Sequence, residues 1–233
     1  MLLCYWYGSP WGLRDFAEGD EIFRRSAAGT LRKKKMIFSP MPYDNLPVIP
    51  LTAFRQEAVN WENWMAAAFN SQPNRWAHVH TVWQRAKEIS SLPRMELAQR
   101  DQEALELAAL LHDVGRAIDM FDSEPHGFVG ARFLDCVSLP RIACLVAHHS
   151  GALFEALERG CPEKCIWKRE LSPVSDLLTF LDMTSDSTGR TVTPDERRED
   201  IRVRYGVESY QVKAFDQIAT EIARGKGWVD KWS

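Results

Sequence analysis

The chain has 233 residues, of which 45% are hydrophobic and 26% are charged, and its formal net charge is -3. A chain of this length can bury a full core, and this composition is typical of a soluble globular protein. The slightly acidic balance excludes bulk binding to nucleic acid, which requires a strongly basic surface.

The cysteines and the amino terminus indicate the compartment. Cys161 and Cys165 form the run CPEKC, but no second Cys/His pair lies nearby to complete a structural zinc site. The opening MLLCYWYGSPWG is a poor signal peptide, and no stretch approaches the ~20 apolar residues of a membrane span. We therefore expect reduced thiols in a cytoplasmic protein with no membrane partner.

The first 50 residues differ from the rest of the chain. Glycine, proline and serine interrupt them, and the basic run RKKK occupies positions 32–35. Four prolines then follow within the segment 40–50. This pattern predicts an irregular N-terminal extension over residues 1–50 and a helical domain over 51–233.

The helical domain contains a series of predicted helices at about 52–70, 75–91, 101–116, 126–137 and 139–149. Ser172-Pro173 and Thr193-Pro194 each place an N-cap residue before a proline, and they predict helices over 172–184 and 194–205. A last helix over about 207–224 is predicted to stop at Gly225. No alternating strand series is present, so the predicted fold class is all-α.

The run ELAALLHDVGRAIDM places His112 and Asp113 at the end of an apolar helical stretch. Histidine and aspartate are rarely buried without partners, so the pair is either hydrogen-bonded at a helix end or binds a metal. Side chains adjacent in a helix point roughly 100° apart, so both reach one ion only at the helix edge. His78 and Asp182 could complete such a site, and imidazole with carboxylate suits Fe, Mn, Mg or Zn.

The chain has six histidines, and each taken alone is more often a structural residue than a ligand. Read together, five of them lie near the ends or on the faces of successive predicted helices. His126 and His149 are therefore available as donors to a second ion.

Five segments resemble the HD superfamily of metal-dependent phosphohydrolases. They are RWAHVHTV, ALLHDVGR, HGFVGARFL, VAHHSG and FLDMTSDSTGR, and they occur in the family's order over residues 75–190. The resemblance implies an all-α HD-domain helical bundle with a metal site between its central helices. The HG..GA and H..G blocks are similar to the two-metal branch that hydrolyses bis-nucleosyl polyphosphates, such as bis-nucleosyl-tetraphosphatase.

The resemblance also implies a ligand set, carried over position by position. The implied metal ligands are His78, His112, Asp113, His126, His149 and Asp182. His149 is preferred to His148 because Gly151 follows it at the family's spacing. His80 falls on a different helix face and is expected to be a spectator, while Asp176 and Asp186 are rival acids.

The implied mechanism is hydrolysis assisted by two divalent metal ions, and the candidate metals are Mn, Fe, Mg and Co. Such a pair activates water for in-line attack on phosphorus, and Asp113 is the residue expected to bridge the ions. Arg116 lies one turn after His112 and is the first candidate to stabilise charge on the phosphate. Arg75 and Arg190 are further candidates for substrate binding, although a solvated helix face is the more ordinary interpretation of each, as it is of Arg132.

Three functions remain open at this point. The first is an enzyme, an HD-domain phosphohydrolase that acts on a phosphate ester or anhydride of a nucleotide or other small phosphorylated metabolite. The second is a di-iron HD-type oxygenase, and the third is a catalytically silent HD module that binds nucleotide. The expected partner is a small-molecule phosphate substrate, and a homodimer is compatible with the resemblance.

Overall fold

The computed structural model describes residues 23–25, 31–33, 60–118 and 124–233. The chain divides into two units, Met1–Asp44 and Asn45–Ser233. In the first unit, strands β1 (Phe23–Arg25) and β2 (Leu31–Lys33) pair antiparallel, with Arg24 opposite Arg32. The prediction of an irregular extension did not include this short hairpin, and the other residues of 1–50 lie outside the described part.

The described residues of the second unit form an all-α fold. Its helices are α1 (Trp61–Ala68), α2 (Pro73–Ser90), α3 (Gln99–Leu111), α4 (Val114–Ile118), α5 (His126–Cys136), α6 (Pro140–His148), α7 (Ala152–Glu158), α8 (Pro173–Met183), α9 (Pro194–Tyr205), α10 (Tyr210–Gln217) and α11 (Ala219–Trp232). Single 3-10 turns occur at His149–Gly151 and Pro162–Lys164. Within the described ranges, none of these helices has both the length and the apolar character needed to cross a membrane.

The predicted helix starts at α8 and α9 are confirmed. The side chain of Ser172 accepts a hydrogen bond from the backbone N–H of Ser175 at the start of α8. At α9, Thr193 and Glu196 form a reciprocal capping box. These caps fix the beginnings of the two helices that later contribute Asp182 and the outer wall of a cavity.

Two predicted boundaries were wrong. The helix predicted over 101–116 breaks at His112-Asp113, between α3 and α4. The last predicted helix divides at Ile218, and Gly225 lies inside α11 instead of ending it. A Cβ at position 225 would lie 2.4 Å from the Cβ of Phe180, so glycine is required there because α11 packs closely on α8.

The core joins the helices that carry the predicted ligands. Helix α2 packs on α3, α3 packs on α8, and α5 packs on both α4 and α6. Fully buried side chains fill these contacts, among them Leu105, Leu111, Phe128, Leu177 and Leu181. Because the apolar faces fix the helices against one another, the polar residues at their ends and inner faces are brought to one place.

A smaller apolar cluster attaches the last helices. It consists of Met183, Ile201, Val212, Phe215, Ile218 and Ile222. These side chains connect the end of α8 to α9, α10 and α11. The cluster therefore holds α9 and α10 beside the end of α8, where Asp182 lies.

Candidate metal centre and adjoining cavity

The six residues predicted as metal ligands come from five different helix faces or ends. His78 lies within α2, His112 and Asp113 lie between α3 and α4, and His126 is the first residue of α5. His149 follows α6, and Asp182 is in the last turn of α8. Each of the six is at most 8% exposed, so the fold buries the whole set.

The first group of donor atoms surrounds His78. Its Nε2 lies 3.2 Å from Nε2 of His112 and 3.1 Å from Oδ1 of Asp182. Oδ2 of Asp113 lies 3.8 Å from Nε2 of His112 and 4.0 Å from Nε2 of His78. His78, His112 and Asp113 thus form one group of donor atoms, and Oδ1 of Asp182 lies beside its two imidazoles, at 3.1 and 3.9 Å.

The second group surrounds His126. Its Nε2 lies 3.2 Å from Oδ1 of Asp113 and 3.1 Å from Nε2 of His149. Asp113 therefore belongs to both groups and presents a different carboxylate oxygen to each. Both groups, His78–His112–Asp113 and Asp113–His126–His149, have donor atoms close enough together to hold a metal ion.

Backbone carbonyls orient three of the imidazoles. Nδ1 of His78 lies 3.0 Å from the carbonyl oxygen of Asp186. Nδ1 of His112 lies 2.8 Å from the carbonyl oxygen of Ala109, and Nδ1 of His149 lies 2.5 Å from that of Val146. A carbonyl can only accept, so Nδ1 carries the proton and Nε2 keeps its lone pair. Metal-binding histidines commonly have this arrangement, in which the outer nitrogen is hydrogen-bonded and the inner one is free to coordinate.

The facing imidazole nitrogens suit a cation. His112 donates from Nδ1 to the carbonyl of Ala109, so in its neutral form its Nε2 is an acceptor, and this atom lies 3.2 Å from Nε2 of His78. A metal ion between the two nitrogens would satisfy both. The donor set therefore fits a divalent ion on chemical grounds that are independent of the sequence pattern.

Electrostatics favours the protonation states that metal binding requires. Burial lowers the pKa of His112 and His149, and it lowers the pKa of His126 to about 3. Burial acts to raise the pKa of Asp113, but the adjacent Arg75 and Arg116 outweigh it and hold that pKa well below its usual range. At neutral pH His112, His126 and His149 are thus neutral, and Asp113 is ionised.

A cavity of about 180 Å³ adjoins the cluster. Asp113, His126 and Asp182 line its inner side together with Arg75 and Arg116. Nη1 of Arg75 lies 2.7 Å from Oδ2 of Asp113, and Nε of Arg116 lies 3.0 Å from Oδ1. The two arginines therefore place positive charge where the candidate metal centre meets the cavity.

Arg190, the third predicted substrate-binding arginine, does not line this cavity. Its side chain is 79% exposed, and its Nε donates to Oδ2 of Asp186 at 2.7 Å. Arg132 also lies away from the cavity, where it forms an ion pair with Glu124. Of the arginines considered from the sequence, the structure brings Arg75 and Arg116 to the candidate site.

The rival histidines and acids have other partners. Nε2 of His148 lies 2.9 Å from the carbonyl oxygen of Trp167, which turns it away from the donor cluster. His80 contacts the rings of Trp76 and Trp83. Asp176 forms a salt bridge of 2.7 Å with Arg224 and so joins α8 to α11. These residues support the fold, and they leave His149 and Asp182 as the members that face the cluster.

Gly115 permits the close approach that places His126 beside Asp113, and the sequence reasoning did not identify it. A Cβ at position 115 would lie 1.9 Å from the carbonyl oxygen of His126 and 2.8 Å from the backbone nitrogen of Gly130. Any side chain there would push α4 away from the start of α5. The signal in the sequence is a glycine two residues after the His-Asp pair, inside a helical pattern.

Arg85 is a second residue that the sequence reasoning missed. Its Nη1 donates to the carbonyls of Leu181 at 3.2 Å and Thr184 at 3.0 Å, and to Oγ of Ser185 at 2.9 Å. A guanidinium group at the carboxyl end of a helix satisfies carbonyls that have no partner within the helix. Arg85 thereby fixes the end of α8 and the position of Asp182.

Comparison with protein families identifies the region that carries the cluster. Residues 75–184 match the HD domain. The matched region begins within α2, ends just after α8 and contains all six clustered residues. Neither the curated proteins nor the solved structures gave a match to this chain. The match supports the HD superfamily, and the bis-nucleosyl-tetraphosphatase-like branch stays a prediction.

Proposed function

We propose that the HD domain of this chain is a metal-dependent phosphohydrolase that cleaves a phosphate ester or anhydride of a nucleotide or other small phosphorylated metabolite. The observation that carries the proposal is a pair of buried donor groups that share Asp113 and border a cavity lined by Arg75 and Arg116. The HD domain points to the phosphohydrolase type of superfamily. The arginines favour an anionic substrate over a neutral one.

The proposed metal ligands fall into two sets. One ion would be held by His78, His112, Asp113 and Asp182, and the other by Asp113, His126 and His149. The donor types suit Mn, Fe, Mg or Co. Bound divalent ions lower the pKa of water to produce a nucleophile near neutral pH and offset the charge of phosphate oxygens.

The residues of the chain contribute orientation and charge. The carbonyls of Asp186, Ala109 and Val146 hold three imidazoles with Nε2 directed inward. Arg75 and Arg116 lie at the boundary between donors and cavity, where a phosphoryl group would meet both. A guanidinium group can bind two oxygens of a phosphate at once, so these two side chains are suited to align the group and stabilise its developing charge.

The proposal is tested by a screen for phosphate release. Purified protein is supplied in turn with Mn, Mg, Co and Fe and is assayed against nucleotides and other small phosphorylated metabolites. We expect at least one substrate to release phosphate, and we expect Asp113→Asn to lower that rate by at least about 100-fold, since even outer partners of metal ligands cost 10–100-fold. Metal content is measured on the same samples.

Asp176→Asn is the matched control, because Asp176 is another buried aspartate but pairs with Arg224. It should retain both metal and activity. A folded protein that contains no metal after metal-replete expression would overturn the proposal. Product formation that requires dioxygen, with no phosphate release, would instead support the oxygenase.

A further inference from the structure

Helix α9 contributes four residues to the lining of the cavity, and it lies outside the matched HD region. Arg197, Ile201, Arg204 and Tyr205 of α9 all line the cavity. Their spacing of four, then three, then one residue is that of a single helix face. This face therefore forms one wall of the cavity that also borders the candidate metal centre, and half of its four side chains are cations.

Arg197 is buried and has one carboxylate partner among the described residues. The residue is 6% exposed, and its Nη1 donates to Oδ2 of Asp200 at 2.9 Å. Its Nε is buried and has no hydrogen-bond partner within the described residues. Buried charged groups are normally satisfied, and Arg197, which lines the cavity, has Asp200 as its carboxylate partner, so its charge is only partly compensated by the protein.

The ion pairs of the wall leave an excess of positive charge. Arg204 donates from Nε and Nη2 to the two carboxylate oxygens of Asp200, at 3.1 and 2.7 Å. Asp200 is thus shared between Arg204 and Arg197, and one carboxylate faces two guanidinium groups. Glu155 also lines the cavity, but its Oε1 forms a salt bridge with Arg159 at 2.7 Å.

We propose that Arg197 and Arg204 form a second anion subsite and that the substrate carries a distal phosphate or carboxylate besides the phosphoryl group that is attacked. This inference rests on the proposed function, because it places the attacked group at the metal centre. Arg75 and Arg116 meet that group, and the wall on α9 binds the distal one. The substrate class is then a small phosphorylated compound with two anionic ends.

The test compares three probes that are not hydrolysed. They are propylphosphonate, which has no distal anion, 3-phosphonopropionate, which has a distal carboxylate, and propane-1,3-bisphosphonate, which has a distal phosphonate. Binding to Mn-loaded full-length protein is measured by calorimetry. We expect at least one of the two-ended probes to bind roughly tenfold or more tightly than propylphosphonate, and the better one identifies the distal group.

Arg204→Gln should remove most of this preference while propylphosphonate binds as before. The matched control is Arg202→Gln, since Arg202 lies on the same helix but is exposed, does not line the cavity and pairs with Glu199 at 2.5 Å. It should keep the wild-type preference. Arg197→Gln should reduce the preference in the same way as Arg204→Gln. Thermal unfolding shows whether this more buried variant is folded. If it is not, the result for Arg204→Gln alone tests the subsite.

Two results would overturn the inference. One is wild-type protein that binds the two-ended probes no better than propylphosphonate, and the other is a preference that survives in Arg204→Gln. Failure of the proposed function is distinguishable from these. If no substrate releases phosphate but the preference exists and depends on Arg204, the anion subsite stands while the hydrolytic activity does not.

Discussion

The two sides of the cavity are built in different ways. The metal-ligand side collects six residues from helices spread between α2 and α8, and all of them are buried. The other wall comes from one face of α9, and its Arg204 side chain is 31% exposed. The residues of the centre come from many elements, so a shift of any one element displaces a candidate ligand. The wall belongs to one helix, so its side chains can differ without moving the candidate ligands.

The charges on the two sides are also arranged differently. At the centre, imidazole nitrogens face one another in pairs, at 3.2 Å in His78 and His112 and at 3.1 Å in His126 and His149, an arrangement that suits bound cations. At the wall, Asp200 already binds both arginines, and only part of their donor capacity remains for a ligand. Under the two proposals, metal chemistry belongs to the matched HD region and substrate selection to the helix that follows it.

The largest effect should come from His149→Gln. We expect this substitution to reduce the metal content from two ions per chain to one and to lower phosphate release by at least about 100-fold, because it removes a direct ligand. His148→Gln is the control, since the neighbouring His148 faces the carbonyl of Trp167. Metal analysis and phosphate release are measured on both variants.

Metal analysis of Arg204→Gln tests whether the two sides of the cavity have separate roles. Its metal content should equal that of the wild type, since α9 contributes none of the donor atoms. If Arg204→Gln loses metal, or if His149→Gln keeps two ions, then the two sides do not have separate roles.

A smaller effect is expected from Gly115→Ala. The added Cβ would collide with the carbonyl of His126, so the start of α5 must shift and His126 must move relative to Asp113. Overpacking of this kind lowers the free energy of unfolding by about 1–3 kcal/mol, and we expect metal occupancy of the second group to fall with it. Urea denaturation and metal analysis measure the two effects.

Gly227→Ala is the matched control for that substitution. Gly227 also lies within a helix, α11, but a Cβ there would have no neighbour within 4 Å. Alanine should therefore raise the free energy of unfolding by roughly 0.5–1 kcal/mol, because it restricts the unfolded chain and favours the helix. Equal destabilisation of the two variants would contradict the close approach of α4 and α5 as the cause.

The smallest expected effect is on the kinetic constants, and it distinguishes Arg75, which lines the cavity, from Arg190, which does not. Arg75→Gln should raise KM or lower kcat by about tenfold, since it removes a charge-assisted contact at the cavity. Arg190→Gln should change either constant less, because Arg190 is exposed and paired with Asp186. A larger effect at Arg190 would restore it as a substrate-binding residue and would place substrate outside the cavity described above.

Much of the candidate site could be predicted from residue type and order. The His-Asp pair, the four other ligand candidates and the N-caps at Ser172 and Thr193 all depend on local chemistry or on motif spacing. The hydrophobic periodicity was sufficient for an all-α fold. The end of α11 was not predictable in this way, since Gly225 is a packing residue against Phe180 and not a helix stop.

The sequence by itself determined which side chains could bind metal, because imidazole and carboxylate chemistry belongs to the residues. Only the tertiary structure decided which of them meet. It brings Arg75 and not Arg190 to the cavity, and it places His149, which the spacing to Gly151 had already favoured, in the cluster, whereas His148 contacts the carbonyl of Trp167. It also brought Arg197 and Arg204 to the cavity, because the apolar cluster around Ile201 and Phe215 packs α9 and α10 against the end of α8.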